Sequence, residues 1–254
     1  MKTKTRRSVA VRVILWAFIA VCALVLTAGC IFAVKGYRMY RSAAAETPIS
    51  EMADEIRART EHYVTFDELP QLYVNAVVSA EDKRFPSHHG VDYIAICRAV
   101  LVDIRAMSFK EGGSTITQQV AKNELFTQQK HLERKFAEIF AAYEIERTYT
   151  KEEIFEMYVN SIYFGSNFYG IYDASMGYFG CTPIEMEDYE AVMLAGLPNA
   201  PSAYSPYHNL PLAIKRMNLV LQRMIDCNII TVPEADRISA TVFQLQLQPE
   251  DRAA

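Results

Sequence analysis

Several familiar signatures of reactive centres are missing from this sequence. It contains no His-Glu-x-x-His, no Asp-x-Asp, and no Gly-Lys-Ser/Thr ending to its glycine-rich stretch. That removes the helical zinc pair, the nucleotide–metal site common among sugar transferases, and the phosphate loop. Cysteine is scarce, at five residues. Cys22 and Cys30 fall in an apolar run, while Cys97, Cys181 and Cys227 are an odd set, far apart and without ligand spacing. A disulfide framework and a thiolate metal centre are therefore not predicted, and the three are expected as small buried apolar residues. His62, His131 and His208 stand singly, and no second pair or thiolate cluster joins His88-His89, so buried, hydrogen-bonded histidines are expected and no metal ligands. Positive charge is not in excess: the formal net charge of −4 argues against a nucleic-acid partner. Repeats and low complexity are absent and few segments alternate like strands, which leaves a mainly α domain.

What is present begins with an asymmetric N-terminus. Residues 1–12 carry Lys2, Lys4, Arg6, Arg7 and Arg12, and residues 13–34 carry no charge and are nearly all apolar. A membrane-spanning helix needs about 20 such residues, more than the ~7–15 of a cleaved signal peptide. Residues 13–34 are therefore predicted to be an uncleaved anchor, with 1–12 a basic cytoplasmic tail. Lys35, Arg38 and Arg41 follow the span, but the larger basic cluster precedes it, which puts the N-terminus in the cytoplasm and the remainder outside. Leu26 to Cys30 resembles a lipoprotein cleavage site only faintly, because Thr27 fits poorly and apolar residues continue beyond Cys30. Residues 35–59 are expected as a polar, alanine-rich connector with weak helical content. The roughly 200 residues beyond the N-terminal segment suffice for one domain with a sizeable core, expected over residues 60–245.

Within that domain a helix is predicted from near Pro70, since proline suits a first turn. In "VDYIAICRAVLVDIRA" an apolar face is expected at Ile94, Cys97, Val100, Leu101 and Ile104. A helix is expected from about Thr115 and another through "LERKFAEIFAAYEIERTY". Thr150 and Glu153 predict a capping box at the start of "KEEIFEMYVN". "YFGSNFYGIYDASMGYFG" is expected to be irregular and tightly packed. A helix in "EMEDYEAVMLAGLP" should stop at Gly196 and Pro198, and "LAIKRMNLVLQRMIDC" should form another.

The apolar run ending at Ala80 leads straight into Glu81-Asp82-Lys83-Arg84. A carboxylate at the end of a buried helix meets the negative end of the helix dipole and loses hydration. Both push its pKa up, as a general base at neutral pH requires. An ion pair with Lys83 or Arg84, or a solvated loop, fits the same spacing. Glu138 shares a helix with Phe136, Ile139, Phe140 and Tyr143 but faces Ala141, Ala142 and Ile145, with Arg134 one turn earlier. A buried polar site and a surface i,i+4 pair fit this equally. Gly112 to Gln119, "GGSTITQQ", offers amides and hydroxyls near a helix start, suited to an anion or to a simple cap. Lys122, Arg134 and Lys135 could add positive charge.

Taken in order, these segments resemble the peptidoglycan glycosyltransferases, family 51, which form the polymerase module of class A penicillin-binding proteins and the monofunctional transglycosylases. The family's Glu-Asp-x-x-Phe-x-x-His-x-Gly matches Glu81, Asp82, Phe85, His88 and Gly90. Its Gly-Gly-Ser-Thr-Ile-Thr-Gln-Gln is entire at 112–119, followed by Lys122 and Asn123. Its Arg-Lys-x-x-Glu matches Arg134, Lys135 and Glu138. "KEEIFEMYVN" resembles the fourth motif and "RMNLVLQRM" the fifth, with Met217 where a second basic residue often stands. The similarity covers roughly residues 60 to 235. No Ser-x-x-Lys or Lys-Thr-Gly of a transpeptidase occurs, so the monofunctional form is expected.

The resemblance implies a lysozyme-like, mainly helical fold of two lobes. It implies that lipid II is joined into β-1,4-linked glycan, with a growing chain on undecaprenyl pyrophosphate as donor and the GlcNAc 4-hydroxyl of lipid II as acceptor. Glu81 would be the base and Glu138 the second catalytic carboxylate. Asp82, Phe85, His88, Ser114, Thr115, Gln119, Lys122, Asn123, Arg134 and Lys135 would bind or position substrate, and residues near Lys110 would form a flap. No cofactor is obligate on this view; a divalent cation at the pyrophosphate is the one option left open. The membrane, lipid II and the glycan are the expected partners, together with cell-wall synthesis or division proteins, in the bacterial cytoplasmic membrane. A lytic transglycosylase or muramidase of similar fold would need an acid but no cationic pyrophosphate pocket. An inactive membrane-anchored recruiting module would need neither.

Overall fold

The computed structural model describes residues 2–106, 113–126 and 132–246. Its first element, α1 (Lys2–Glu46), is one unbroken helix, and its stretch Arg12–Glu46 is long and apolar enough to cross a membrane. The helix does not stop at the expected end of the span. Residues 35–46 extend it by about 18 Å, and Tyr40 and Ala43 pack against the core of the folded domain. The expected connector is thus largely ordered helix. It closes with α2 (Met52–Arg59), which buries Met52 and Ile56. The Tyr149 hydroxyl clamps this segment, donating to the Ile49 carbonyl at 2.6 Å and accepting from the Ala53 amide at 3.2 Å.

The domain continues as α3 (Gln71–Glu81), α4 (Tyr93–Ala106), α5 (Ile116–Leu125), α6 (Leu132–Thr148) and α7 (Lys151–Ser161). After these come a hairpin, β1 (Tyr163–Gly165) with β2 (Phe168–Tyr169), then α8 (Ile171–Phe179), α9 (Asp188–Gly196), α10 (Pro201–Tyr204), α11 (Pro206–Asp226) and α12 (Val232–Gln246). Local chemistry sets several of the starts. Pro70 precedes α3. Thr115 and Gln118 form a capping box on α5, as Thr150 and Glu153 do on α7, each satisfying amides that a helix start leaves open.

The core is helix on helix. Every residue of α9 after Asp188 is buried, and the helix is flanked by α3 and α11. Tyr73, Val77 and Ala80 of α3 face inward with Ile116 and Val120 of α5 and Phe155 and Tyr158 of α7. The aromatic stretch after α7 is more regular than expected. Ser166 and Asn167 take positive φ at the turn, the geometry that matches a two-residue hairpin to strand twist, and its second half is the helix α8.

The apolar face expected on α4 is not covered by the domain. Ile94 is 68% and Leu101 55% exposed, Tyr93 is 62% exposed and Cys97 lies open; the side chains of Val100 and Ile104 are outside the described residues. Cys181 and Cys227 are only partly buried. The expectation of three buried cysteines fails because Cys97 lies on the uncovered face of α4, while Cys181 and Cys227 follow the ends of α8 and α11. Gly112, Lys110 with its expected flap, and His131 lie outside the described residues.

Candidate active site

The site is assembled where α3 ends. Glu81 is the last residue of α3, and Asp82 stops the helix. The Asp82 carboxylate is buried: its Oδ2 accepts the Ile116 amide at the head of α5 at 3.0 Å and lies 2.8 Å from His88 Nε2. A carboxylate on a helix N-terminus is favoured by the dipole and by the open amides there. Thr115 Oγ1 donates to the Gly90 carbonyl at 2.6 Å. Gly90 sits at φ +89°, and a Cβ there would lie 2.8 Å from the Ala142 carbonyl of α6, so only glycine fits. Phe85 packs on Phe155 and under the Lys151 ammonium, which donates to the His88 carbonyl at 2.8 Å and to Glu146 at 2.7 Å. These contacts lock the turn after Glu81 onto α5, α6 and α7.

In front of this brace lies a cleft of about 700 Å³, lined by Glu81, Ser114, Gln119, Lys122, Glu138 and Arg216, among others. The size suits a ligand held at several points. Glu81 Oε2 accepts from Gln119 Nε2 at 3.0 Å, and Oε1 is 3.6 Å from Arg216 Nη2. Neither Lys83 nor Arg84 supplies its partner; Arg84 bonds to Asp92 instead, Nε to Oδ2 at 2.8 Å. Glu138 is 3% exposed. Its Oε1 is 3.1 Å from Arg134 Nε, and its Oε2 accepts from Lys135 Nζ at 2.9 Å. The same ammonium donates to Ser114 Oγ at 2.6 Å, bridging the glycine-rich segment to α6. Glu138 therefore lies in a buried polar site and not in a surface pair.

Lys122 faces the same cleft. Burial pushes its ammonium below the ordinary lysine value; Glu138 opposes that, Arg134 and Lys135 add to it, and Glu81 opposes it. A lysine so placed binds an anion strongly because it is poorly hydrated and crowded by like charge. Beneath Glu81, Tyr73 and Tyr158 are fully buried, and burial, with the Glu81 charge behind it, raises both. They remain neutral and keep this wall of low polarity.

Of the expected site residues, Glu81, Asp82, Ser114, Gln119, Lys122 and Glu138 line one cleft, with Arg134 and Lys135 standing behind Glu138. Phe85, His88 and Thr115 are buried behind the wall. There they brace the wall: His88 Nε2 meets Asp82, Thr115 Oγ1 bonds to the Gly90 carbonyl and accepts the Gln118 amide, and Phe85 packs on Phe155. Asn123 is half-buried and outside the lining. Sequence reasoning did not single out Arg216, 6% exposed, whose Nε donates to the Gly196 carbonyl at 3.1 Å and whose guanidinium stacks 5.6 Å from the Tyr204 ring centroid. It opens "RMNLVLQRM", so the signal was present but read as a motif and not as a side chain. Gln118 was passed over likewise. Its Oε1 caps α5 while its buried Nε2 has no partner among the described residues. Arg98 and Tyr204 also reach the cleft, and no local pattern announces either.

Among the described residues no three Asp, Glu, His or Cys side chains come together as metal ligands, and both Glu138 oxygens are engaged by cations. These residues do not fit a protein-held metal centre.

The family described as Transglycosylase matches residues 46–225. The chain belongs to that family, the peptidoglycan glycosyltransferases. This transglycosylase is similar to penicillin-binding protein 1A of Aquifex aeolicus, 46% identical over 169 residues, covering 66% of this chain and 23% of the relative. It is 44% identical to penicillin-binding protein 1A/1B of Bacillus subtilis, over 67% of the chain and 19% of that protein. With penicillin-binding protein 1A of Escherichia coli it shares 36% identity over 86% and 27%. The transglycosylase thus spans about a quarter of the length of these relatives. Its mainly helical, lysozyme-like fold behind one N-terminal apolar helix is the expected one.

Proposed function

We propose that this transglycosylase polymerises lipid II into β-1,4-linked glycan at the face of the membrane that its anchor places outside the cytoplasm. The observation that carries this is a single cleft holding two unlike carboxylates, Glu81 and Glu138, with Lys122 between them and cations behind the second. Glu81 takes the proton of the acceptor GlcNAc 4-hydroxyl. The oxygen attacks C1 of the donor MurNAc from the face opposite the pyrophosphate, whose C–O bond breaks with inversion, as in one-step sugar transfer. Pyrophosphate already leaves well and needs charge neutralisation, which Lys122 and the Arg134–Lys135 pair provide without reorganisation. Glu138 keeps that pair in place. Gln119 and Arg216 aim Glu81, and Ser114, whose Oγ accepts from Lys135, keeps its hydroxyl proton for a substrate oxygen. The anchor and the exposed α4 face keep the cleft beside the lipid tails of donor and acceptor.

Polymerisation of purified lipid II in detergent, by wild type and by Glu81→Gln, tests this. High-molecular-weight, muramidase-sensitive product from the wild type alone is expected. Fragments released from sacculi instead would identify a lytic enzyme. No polymer from a folded, lipid II-binding wild type would identify a recruiting module.

A further inference from the structure

The catalytic helix α6 has two working faces. Arg134, Glu138, Ala141 and Ile145 face the cleft and core, while Glu133, Phe136, Ala137 and Phe140 meet the anchor α1, and no other pair of helices among the described residues packs as extensively. The contact is tightest at Gly36, which is buried. A Cβ there would lie 2.5 Å from Phe136 Cβ and 2.8 Å from the Glu133 carbonyl. Around that notch the Tyr37 ring meets Phe140 edge-on at 5.3 Å, the Tyr40 ring stacks on it at 6.4 Å, and Lys35 pairs with Glu133 at 3.3 Å. Gly29, two turns earlier on α1, has nothing within 4 Å of a built Cβ. The close approach is therefore a property of the docked turns and not of the whole helix. A helix backbone is stiff, and a packed interior transmits displacement. Any outward push at Gly36 moves the backbone of residues 133–138, which carries Glu138 of the cleft wall and the Arg134 and Lys135 cations paired to it.

We propose that Gly36, with Tyr37 and Tyr40, is a positioning site for the reaction: the anchor's docked end sets α6 against the cleft and so sets the distance of its cations from the pyrophosphate. This rests on the function proposed above, since it names what the anchor does for that same site beyond holding it at the membrane. Misplacement of reacting groups by about 1 Å can cost about 100-fold in rate, whereas a mere tether would affect only substrate capture.

The test uses the full chain in detergent, comparing wild type, Gly36→Ala, Gly36→Leu, Tyr40→Ala and the control Gly29→Leu. Expected is a graded loss of kcat, about threefold for Gly36→Ala and tenfold or more for Gly36→Leu, with KM for lipid II unchanged within about twofold. Gly29→Leu should behave as wild type. Wild-type kcat in Gly36→Leu, an equal loss in Gly29→Leu, or a loss confined to KM overturns the proposal. Should Gly36→Leu lose its cooperative melt, Tyr40→Ala decides, because it removes volume without a clash: lowered kcat at constant KM supports the proposal, and unchanged kcat overturns it. Hydrogen exchange over residues 132–142 reads the same coupling without turnover, and is expected to be faster in Gly36→Leu than in Gly29→Leu; equal exchange overturns it. A wild type that makes no polymer defeats the proposed function instead and leaves that exchange comparison to decide the positioning.

Discussion

The surroundings of Glu81 and Glu138 differ in a way that supports the unlike roles proposed for them. Glu138 has a cation on each oxygen, Arg134 at 3.1 Å and Lys135 at 2.9 Å. Glu81 has one neutral amide donor, Gln119, and a guanidinium at 3.6 Å. A carboxylate saturated by two cations is a strut: it fixes them and has little capacity left for a substrate proton. A carboxylate aimed by an amide, above two buried neutral tyrosines, keeps a lone pair for a hydroxyl. The two motifs that look alike as acidic residues in the sequence thus differ in what already occupies their oxygens.

That contrast can be broken most directly at Glu81. Glu81→Gln keeps the shape and removes the proposed base, so kcat should fall about 10²- to 10⁴-fold with the fold intact by circular dichroism. Activity near wild type would transfer the base role elsewhere. Glu138→Gln should cost less, about 10²-fold in kcat, because it frees Arg134 and Lys135 to drift from the proposed pyrophosphate position without removing either. A loss larger than that of Glu81→Gln would reverse the assignment. Lys122 sharpens the picture through pH. Its ammonium is held below the ordinary lysine value, so it gives up its proton at lower pH than an exposed lysine, and polymerisation should fall on the alkaline side correspondingly early. Lys122→Arg, charged throughout, should move that fall to higher pH, as a pH–rate profile would read. The smallest expected effect is at the brace: Asp82→Asn weakens its bonds to the Ile116 amide and His88, and should cost about 1–3 kcal/mol of stability in chemical denaturation.

Local chemistry made much of this legible in the sequence. Thr115 and Thr150 announced their caps because a capping box spans only four residues, and Pro70 marked the start of α3 for the same reason. Helical spacing set Glu138 apart from Phe136 and Phe140 on α6 but left a buried site and a surface pair equally open, and packing decided for the first. The apolar stripe of α4 was legible as well, but a stripe records that a face is apolar and not what covers it, and the domain leaves Ile94 and Leu101 open. Residues 35–46 looked like a linker because their composition is polar and alanine-rich, while their order comes from α6, about a hundred residues away in the chain.

The sequence by itself determined the helices, their caps, the apolar anchor and the set of acidic and basic residues available for chemistry, since propensity, periodicity and charge act between near neighbours. Only the tertiary structure decided which of those residues share a cleft. Arg216 reaches Glu81 across the α3–α11 contact, Lys135 joins Ser114 to Glu138, Phe85 and His88 turn away to brace the wall, and Gly36 seats the anchor on the catalytic helix. Each depends on close packing between segments far apart in the chain, where burial and distance, and not residue type, determine what a side chain meets.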